Sequence, residues 1–128
     1  MILLDTHVLV WAQHEARRLS PRAAGLIRRA ERDGGLAIAA FTVWEAAWLH
    51  RRGVHTAVTM RQFVESLVEG IVLLPLTPDI AVQAAQLGPD FGGDPGDRLI
   101  TATAMVHGLA LVTADERIRA AGAVQTIW

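Results

Sequence analysis

With residues 124–127 read as a fifth strand, four short apolar runs, at residues 2–4, 36–40, 71–74 and 109–112, constrain this chain more than any other feature, because none alternates apolar with polar residues. A strand of that kind must be covered on both faces. The runs are separated by segments with helical spacing, and strands joined by helices run parallel, since a parallel crossover has to pass over the sheet. The pattern predicts an α/β fold: a three-layer α/β/α sandwich around a central parallel sheet.

Local signals place the helices. Val8, Leu9, Trp11 and Ala12 have helical spacing after Asp5-Thr6. Ser20-Pro21 supplies a cap and a first-turn proline for a helix that Gly34-Gly35 stops. Thr42 and Glu45 read as a capping box opening a helix that ends near Arg51-Arg52-Gly53, and another helix spans about 59–69. Thr77-Pro78-Asp79 starts the next. After a glycine- and proline-rich loop at 88–96, Asp94-Pro95 caps a helix carrying Leu99, Ile100, Ala104 and Met105 as far as Gly108. Thr113-Ala114-Asp115 begins a short last helix. At 128 residues, without repeats or low-complexity tracts, residues 1–128 read as a single domain.

The absence of cysteine excludes a disulfide framework, a thiol nucleophile and a cysteine-ligated metal, and makes the reducing cytoplasm the expected compartment. No apolar run approaches the ~20 residues of a membrane span, so a soluble protein is expected. Hydrophobic residues make up 52% and charged residues 20%. That balance argues against disorder and implies that a partner covers some apolar surface. Net charge is −1, with 12 basic residues that are all arginine.

In parallel sheets ligands bind where loops leave the carboxyl ends of the strands. Five acids converge on that edge. Asp5 follows the first strand, Glu45 lies one turn into the helix after the second, Asp94 and Asp97 open the helix before the fourth, and Asp115 follows the fourth. Each taken singly reads as a helix cap or first-turn acid. As a set they are less ordinary, because the helix starts at Ser20 and Thr77 use hydroxyls instead. Carboxylates brought together repel and raise one another's pKa unless a cation compensates, and the chain has no lysine to do so. Hard oxygen ligands suit Mg²⁺ or Mn²⁺. Such ions activate water and neutralise a leaving oxyanion, which makes phosphodiester hydrolysis in RNA or DNA the leading reaction class.

The segments Leu3-Leu4-Asp5-Thr6-His7-Val8-Leu9-Val10-Trp11, Thr42-Val43-Trp44-Glu45, Asp94-Pro95-Gly96-Asp97-Arg98-Leu99-Ile100 and Leu111-Val112-Thr113-Ala114-Asp115-Glu116-Arg117 resemble, in order and spacing, PIN-domain proteins of the VapC-type toxin group from bacterial toxin–antitoxin pairs. The resemblance runs almost end to end. It implies an acidic metal site on Asp5, Glu45, Asp97 and Asp115, with Asp94 as a supporting or capping residue and the hydroxyls of Thr6 and Thr113 in support. It also implies Mg²⁺- or Mn²⁺-dependent endoribonuclease activity, a homodimer, a small cognate antitoxin covering the active site, and the strand order 3-2-1-4-5. Gly96 departs from the pattern, standing where many relatives carry a larger apolar residue.

Other residues have two readings. Arg98 either holds a scissile phosphate or pairs with Asp94 in a structural salt bridge. Arg17, Arg18, Arg28, Arg29, Arg51 and Arg52 either track an RNA backbone or are solvated helix faces. Trp11, Trp44 and Trp48 fit the core or a dimer interface, Trp11 and Trp48 more the interface, with base stacking as the rival. The five histidines are scattered, and none is assigned a role. A receiver or haloacid-type phosphatase would use a similar acid pocket but relies on a lysine, which is missing here. A binding module that keeps the fold and loses the activity is the remaining alternative.

Overall fold

The computed structural model describes all 128 residues. Its elements run β1 (Ile2–Leu4), α1 (Thr6–His14), a 3₁₀ turn at Ala16–Arg18, α2 (Pro21–Arg32), β2 (Leu36–Ala39), α3 (Ala40–Arg51), α4 (Met60–Val68) and β3 (Val72–Leu74). There follow α5 (Pro78–Gln86), a 3₁₀ turn at Pro89–Phe91, α6 (Pro95–His107), β4 (Ala110–Val112), α7 (Glu116–Ala121) and β5 (Thr126–Ile127).

All strand pairs are parallel, in the order β3-β2-β1-β4-β5. The central strand pairs Leu3 with Ala37 on one side and with Leu111 on the other. Pleating sends alternate residues to opposite faces. Leu4, Leu36, Ile38, Val112 and Ile127 pack with Val8, Leu9, Ile27, Ala46, Phe63 and Leu67, so α1 to α4 cover one face. Leu3, Ala37, Ala39 and Leu111 pack with Phe91, Ile100, Ala104 and Ile118 from α6, α7 and the second 3₁₀ turn. Helix α5 packs on α6 through Ile80, Ala84 and Ala102. The runs of β1, β2 and β4 are buried because they are sandwiched, as their lack of alternation predicts, whereas Val72 and Leu73 of the edge strand β3 are exposed.

Two local expectations are corrected. Helix α3 starts at Ala40, with Ala39 at the cap and no side-chain cap bond, so Thr42 and Glu45 form no capping box. The strand runs straight into the helix, which carries Thr42 inside, and its fully buried hydroxyl turns to Thr6. A capping box does form at Thr59 and Gln62, opening α4. The second, third, fourth and fifth strands are shorter than the segments expected for them by one or two residues, because the pairing ends before those stretches do. No helix is long and apolar enough to cross a membrane.

Candidate active site

The strand order reverses direction between β1 and β4, and the crevice at such a switch point is where a parallel sheet takes its ligand. Asp5 leaves β1 there. Its amide is tied to the carbonyl of Val112 at 3.0 Å, and its carboxylate accepts from the Thr6 amide at 2.8 Å and from the Thr113 hydroxyl at 2.7 Å. Thr113 in turn accepts from the amide of Asp115 at 3.0 Å, so the two strand ends are clasped together. Thr6 donates its hydroxyl hydrogen to Glu45 Oε1 at 2.6 Å, and Thr42, 3.2 Å away, is left to donate to Thr6 Oγ1. The buried threonines thus fix the carboxylates of Asp5 and Glu45 from below.

Three of the acids are helix caps that also line the crevice. Asp5, Asp94 and Asp115 are the N-caps of α1, α6 and α7. Asp94 and Asp115 each cap through Oδ1 alone, which leaves Oδ2 unengaged. All five acids line one cavity of about 500 Å³, together with His7, Trp11, Arg18, Ala114 and Arg117.

Electrostatics mark this cavity as unfinished. Burial pushes the Asp97 carboxyl from its ordinary 3.8 up to about 7, with Asp94, Asp115, Asp5 and Glu45 adding repulsion and no hydrogen bond offsetting it. Asp5, only 8% exposed, is also raised, chiefly by burial, against the lowering effect of its Thr113 and Thr6 hydrogen bonds. Glu45 is raised by burial, again against its bond from Thr6. As the rotamers stand, no three acids or histidines are gathered to hold one ion. The donors are hard oxygens, and Asp97 lacks any donor of its own, so the set suits a hard divalent cation.

The structure brings Asp5, Glu45, Asp94, Asp97 and Asp115 together, with Thr6 and Thr113 beneath them. It does not bring Arg98 to them. The Arg98 guanidinium donates to the carbonyls of Gly92 at 2.7 Å, Leu87 at 2.8 Å, Ala84 at 3.0 Å and Gly88 at 3.2 Å, so it neither pairs with Asp94 nor faces the cavity. Carbonyl acceptors take four of its five N–H donors and turn it toward the loop, which is why the phosphate and salt-bridge readings both fail. The tryptophans are not core residues. Trp44 and Trp48 stack at 5.5 Å and are 55% and 44% exposed, while Trp11 borders the acid cavity. Arg117 and His7 also line the cavity and were not predicted as site residues. The available signals were position alone: Arg117 lies two residues past Asp115, and His7 two past Asp5.

Comparisons with known proteins agree with this geometry. The PIN domain family profile matches residues 2–124. The chain is 40% identical over 119 residues to Ribonuclease VapC22 of Mycobacterium tuberculosis, covering 92% of this chain and 89% of that protein. Its fold is similar to that of VapBC2 from Rickettsia felis bound to a promoter DNA fragment, with TM-score 0.78, 13% identity and coverage of 100% and 99% of the two chains. It is similar also to FitAcB from Neisseria gonorrhoeae, with TM-score 0.75, 21% identity and coverage of 100% and 97%. A profile matched from the first strand to the last turns, a relative of this identity and a shared five-stranded sheet lead to one conclusion: the chain belongs to the PIN-domain family.

Proposed function

We propose that this chain, a single unit over residues 1–128, is a metal-dependent endoribonuclease and the toxin of a toxin–antitoxin pair. The observation that carries the reading is the cavity in which five carboxylates meet, none of them in a salt bridge and one of them raised to about 7. The relative named as a ribonuclease supports RNA as the substrate, and the similarity to VapBC and FitAcB supports a cognate antitoxin as the partner.

In this reading Asp5, Glu45, Asp97 and Asp115 hold Mg²⁺ or Mn²⁺, and Asp94 fixes the first turn of α6 beneath Asp97. Such an ion, when bound, supplies Lewis acidity and a water of lowered pKa for in-line attack on phosphorus. The protein does the positioning. Thr113 and the Thr6 amide lock the Asp5 rotamer, Thr6 aims Glu45, and Asp97, raised to about 7, is the carboxyl whose ionised form a bound cation would favour. Cleavage leaves a 5′-phosphate and a 3′-hydroxyl. The cysteine-free composition suits the cytoplasm. Exposed apolar side chains, among them Trp44, Leu73, Leu76 and Val82, suit a second copy of the chain or another protein partner.

The test is incubation of purified protein with total RNA in Mg²⁺, Mn²⁺ or EDTA, beside Asp5→Asn, with sequencing of the new ends. Asp5→Asn should lower cleavage by about 100-fold or more while its thermal midpoint is unchanged or raised. A folded Asp5→Asn protein that still cleaves would sink the assignment. Wild-type protein, free of antitoxin, that cleaves nothing with either metal would point to a binding module.

A further inference from the structure

The acid cavity has a second lining that the proposed chemistry does not use. His7, Trp11, Arg18 and Arg117 border the same space as the five carboxylates. Guanidinium groups beside that many carboxylates would ordinarily pair with them. Neither does: the ion pairs of the chain are Arg18 with Glu15, which lies outside the cavity, and Arg61 with Glu65. Both arginines are braced in other ways. The Arg18 guanidinium lies 4.4 Å over the Trp11 ring, and Trp11 is itself packed against His7 at 5.8 Å and Trp128 at 5.9 Å. Arg117 Nη1 lies beside Gly92, 3.1 Å from where a Cβ would stand, in a turn whose φ of +77° also favours glycine.

A polyanion that approaches five carboxylates is repelled, and two cations bordering the same cavity, neither paired with its carboxylates, supply the opposing field. A guanidinium held 4.4 Å over an indole offers its other face to an unpaired base, while the N–H groups not shared with Glu15 are left for phosphate oxygens. We propose that Arg18, held by Trp11, and Arg117 form the substrate subsite of this cavity, gripping the phosphates beside the scissile one, with an unstacked base lying on the Arg18–Trp11 pair. The proposal rests on the ribonuclease reading and narrows its substrate to single-stranded segments, because a paired helix keeps its bases stacked.

The experiment uses Asp5→Asn protein with Mg²⁺ and a fluorescein-labelled, twelve-nucleotide single-stranded RNA of random sequence, read by anisotropy across a salt series. Arg18→Gln and Arg117→Gln should each reduce the salt slope of log Kd by about 0.7. Trp11→Ala should weaken binding about 10-fold, with Trp11→Phe intermediate and guarding against misfolding. Arg32→Gln, exposed at the end of α2, should leave the slope unchanged. A duplex RNA of equal length should bind without dependence on Trp11. In the active background the arginine variants should raise KM more than they lower kcat. Slopes equal to that of the parent, in a protein that does cleave RNA, would overturn the subsite and leave the ribonuclease reading standing. RNA binding that depends on Arg18 and Arg117, in a protein that never cleaves, would sustain the subsite and remove the nuclease. Absence of RNA binding at every salt concentration would overturn the subsite outright.

Discussion

Gly96 determines where the Glu45 carboxylate can stand. A Cβ built on it would lie 2.8 Å from Glu45 Oε2, 3.0 Å from Phe41 and 3.2 Å from Asp94 Oδ1, so the space that a side chain would fill is taken by the carboxylate and its neighbours. Gly96→Ala should therefore push Glu45 aside. The added helix propensity, about 1 kcal/mol, offsets part of the clash, so the thermal midpoint should move little while divalent-cation affinity falls about 10-fold by calorimetry. A variant that keeps its affinity would show that Glu45 is not a ligand. Thr101 raises the opposite question. Its fully buried hydroxyl has no hydrogen-bond partner, and Thr101→Val, of the same shape, should stabilise the fold by about 1 kcal/mol in urea titration. The Gly96 departure was visible in the sequence; what occupied the vacated space was not, because Glu45 lies 51 positions away.

Helix α6 carries Asp97 into the cavity, and Arg98 sets the angle at which the preceding loop joins it. One guanidinium collects the carbonyls of Ala84, Leu87 and Gly92, and shares that of Gly88 with the Phe91 amide. Arg98→Met should cost about 2–3 kcal/mol and open the 88–93 loop to proteolysis, with cleavage activity falling because Asp97 loses its anchor. If the loop stays protease-resistant, the latch is not needed. The helices themselves were readable from caps and spacing, since a cap acts on amides two or three residues away. The direction of Arg98 was not, because carbonyls carry no sequence signature. The Thr42–Glu45 box failed for a related reason: a hydroxyl 3.2 Å from Thr6, and a glutamate 2.6 Å from it, are claimed by another helix.

Across the molecule, the acids tie stability to pH. Asp97 binds its proton more tightly folded than unfolded, so between about pH 4 and 7 the folded chain holds more protons, and its stability falls as pH rises through that window. Asp5 and Glu45, also raised, act in the same direction. Metal-free protein should show a thermal midpoint that declines toward neutral pH, and Asp97→Asn should flatten that decline. Added Mg²⁺ or Mn²⁺ should restore the midpoint and release protons near pH 7, seen as a dependence of calorimetric heat on buffer ionisation enthalpy. A flat profile in the metal-free protein would remove the repulsion on which this account depends. The exposed apolar surface belongs to the same scale, and sedimentation should find a dimer that Trp48→Glu weakens.

The sequence by itself determined the strands, most helix starts, the parallel sheet and the convergence of five acids on its carboxyl edge. Each of these follows from spacing over a few residues or from the rule that parallel crossovers place successive loops on one side. Only the tertiary structure decided that Thr113 grips Asp5 from 108 positions away, that Arg98 faces a loop, and that Arg18 and Arg117 share the acid cavity without pairing with its carboxylates. Those contacts depend on distance between groups remote in the chain, and electrostatic and hydrogen-bond energies fall away over a few ångströms that no local pattern encodes.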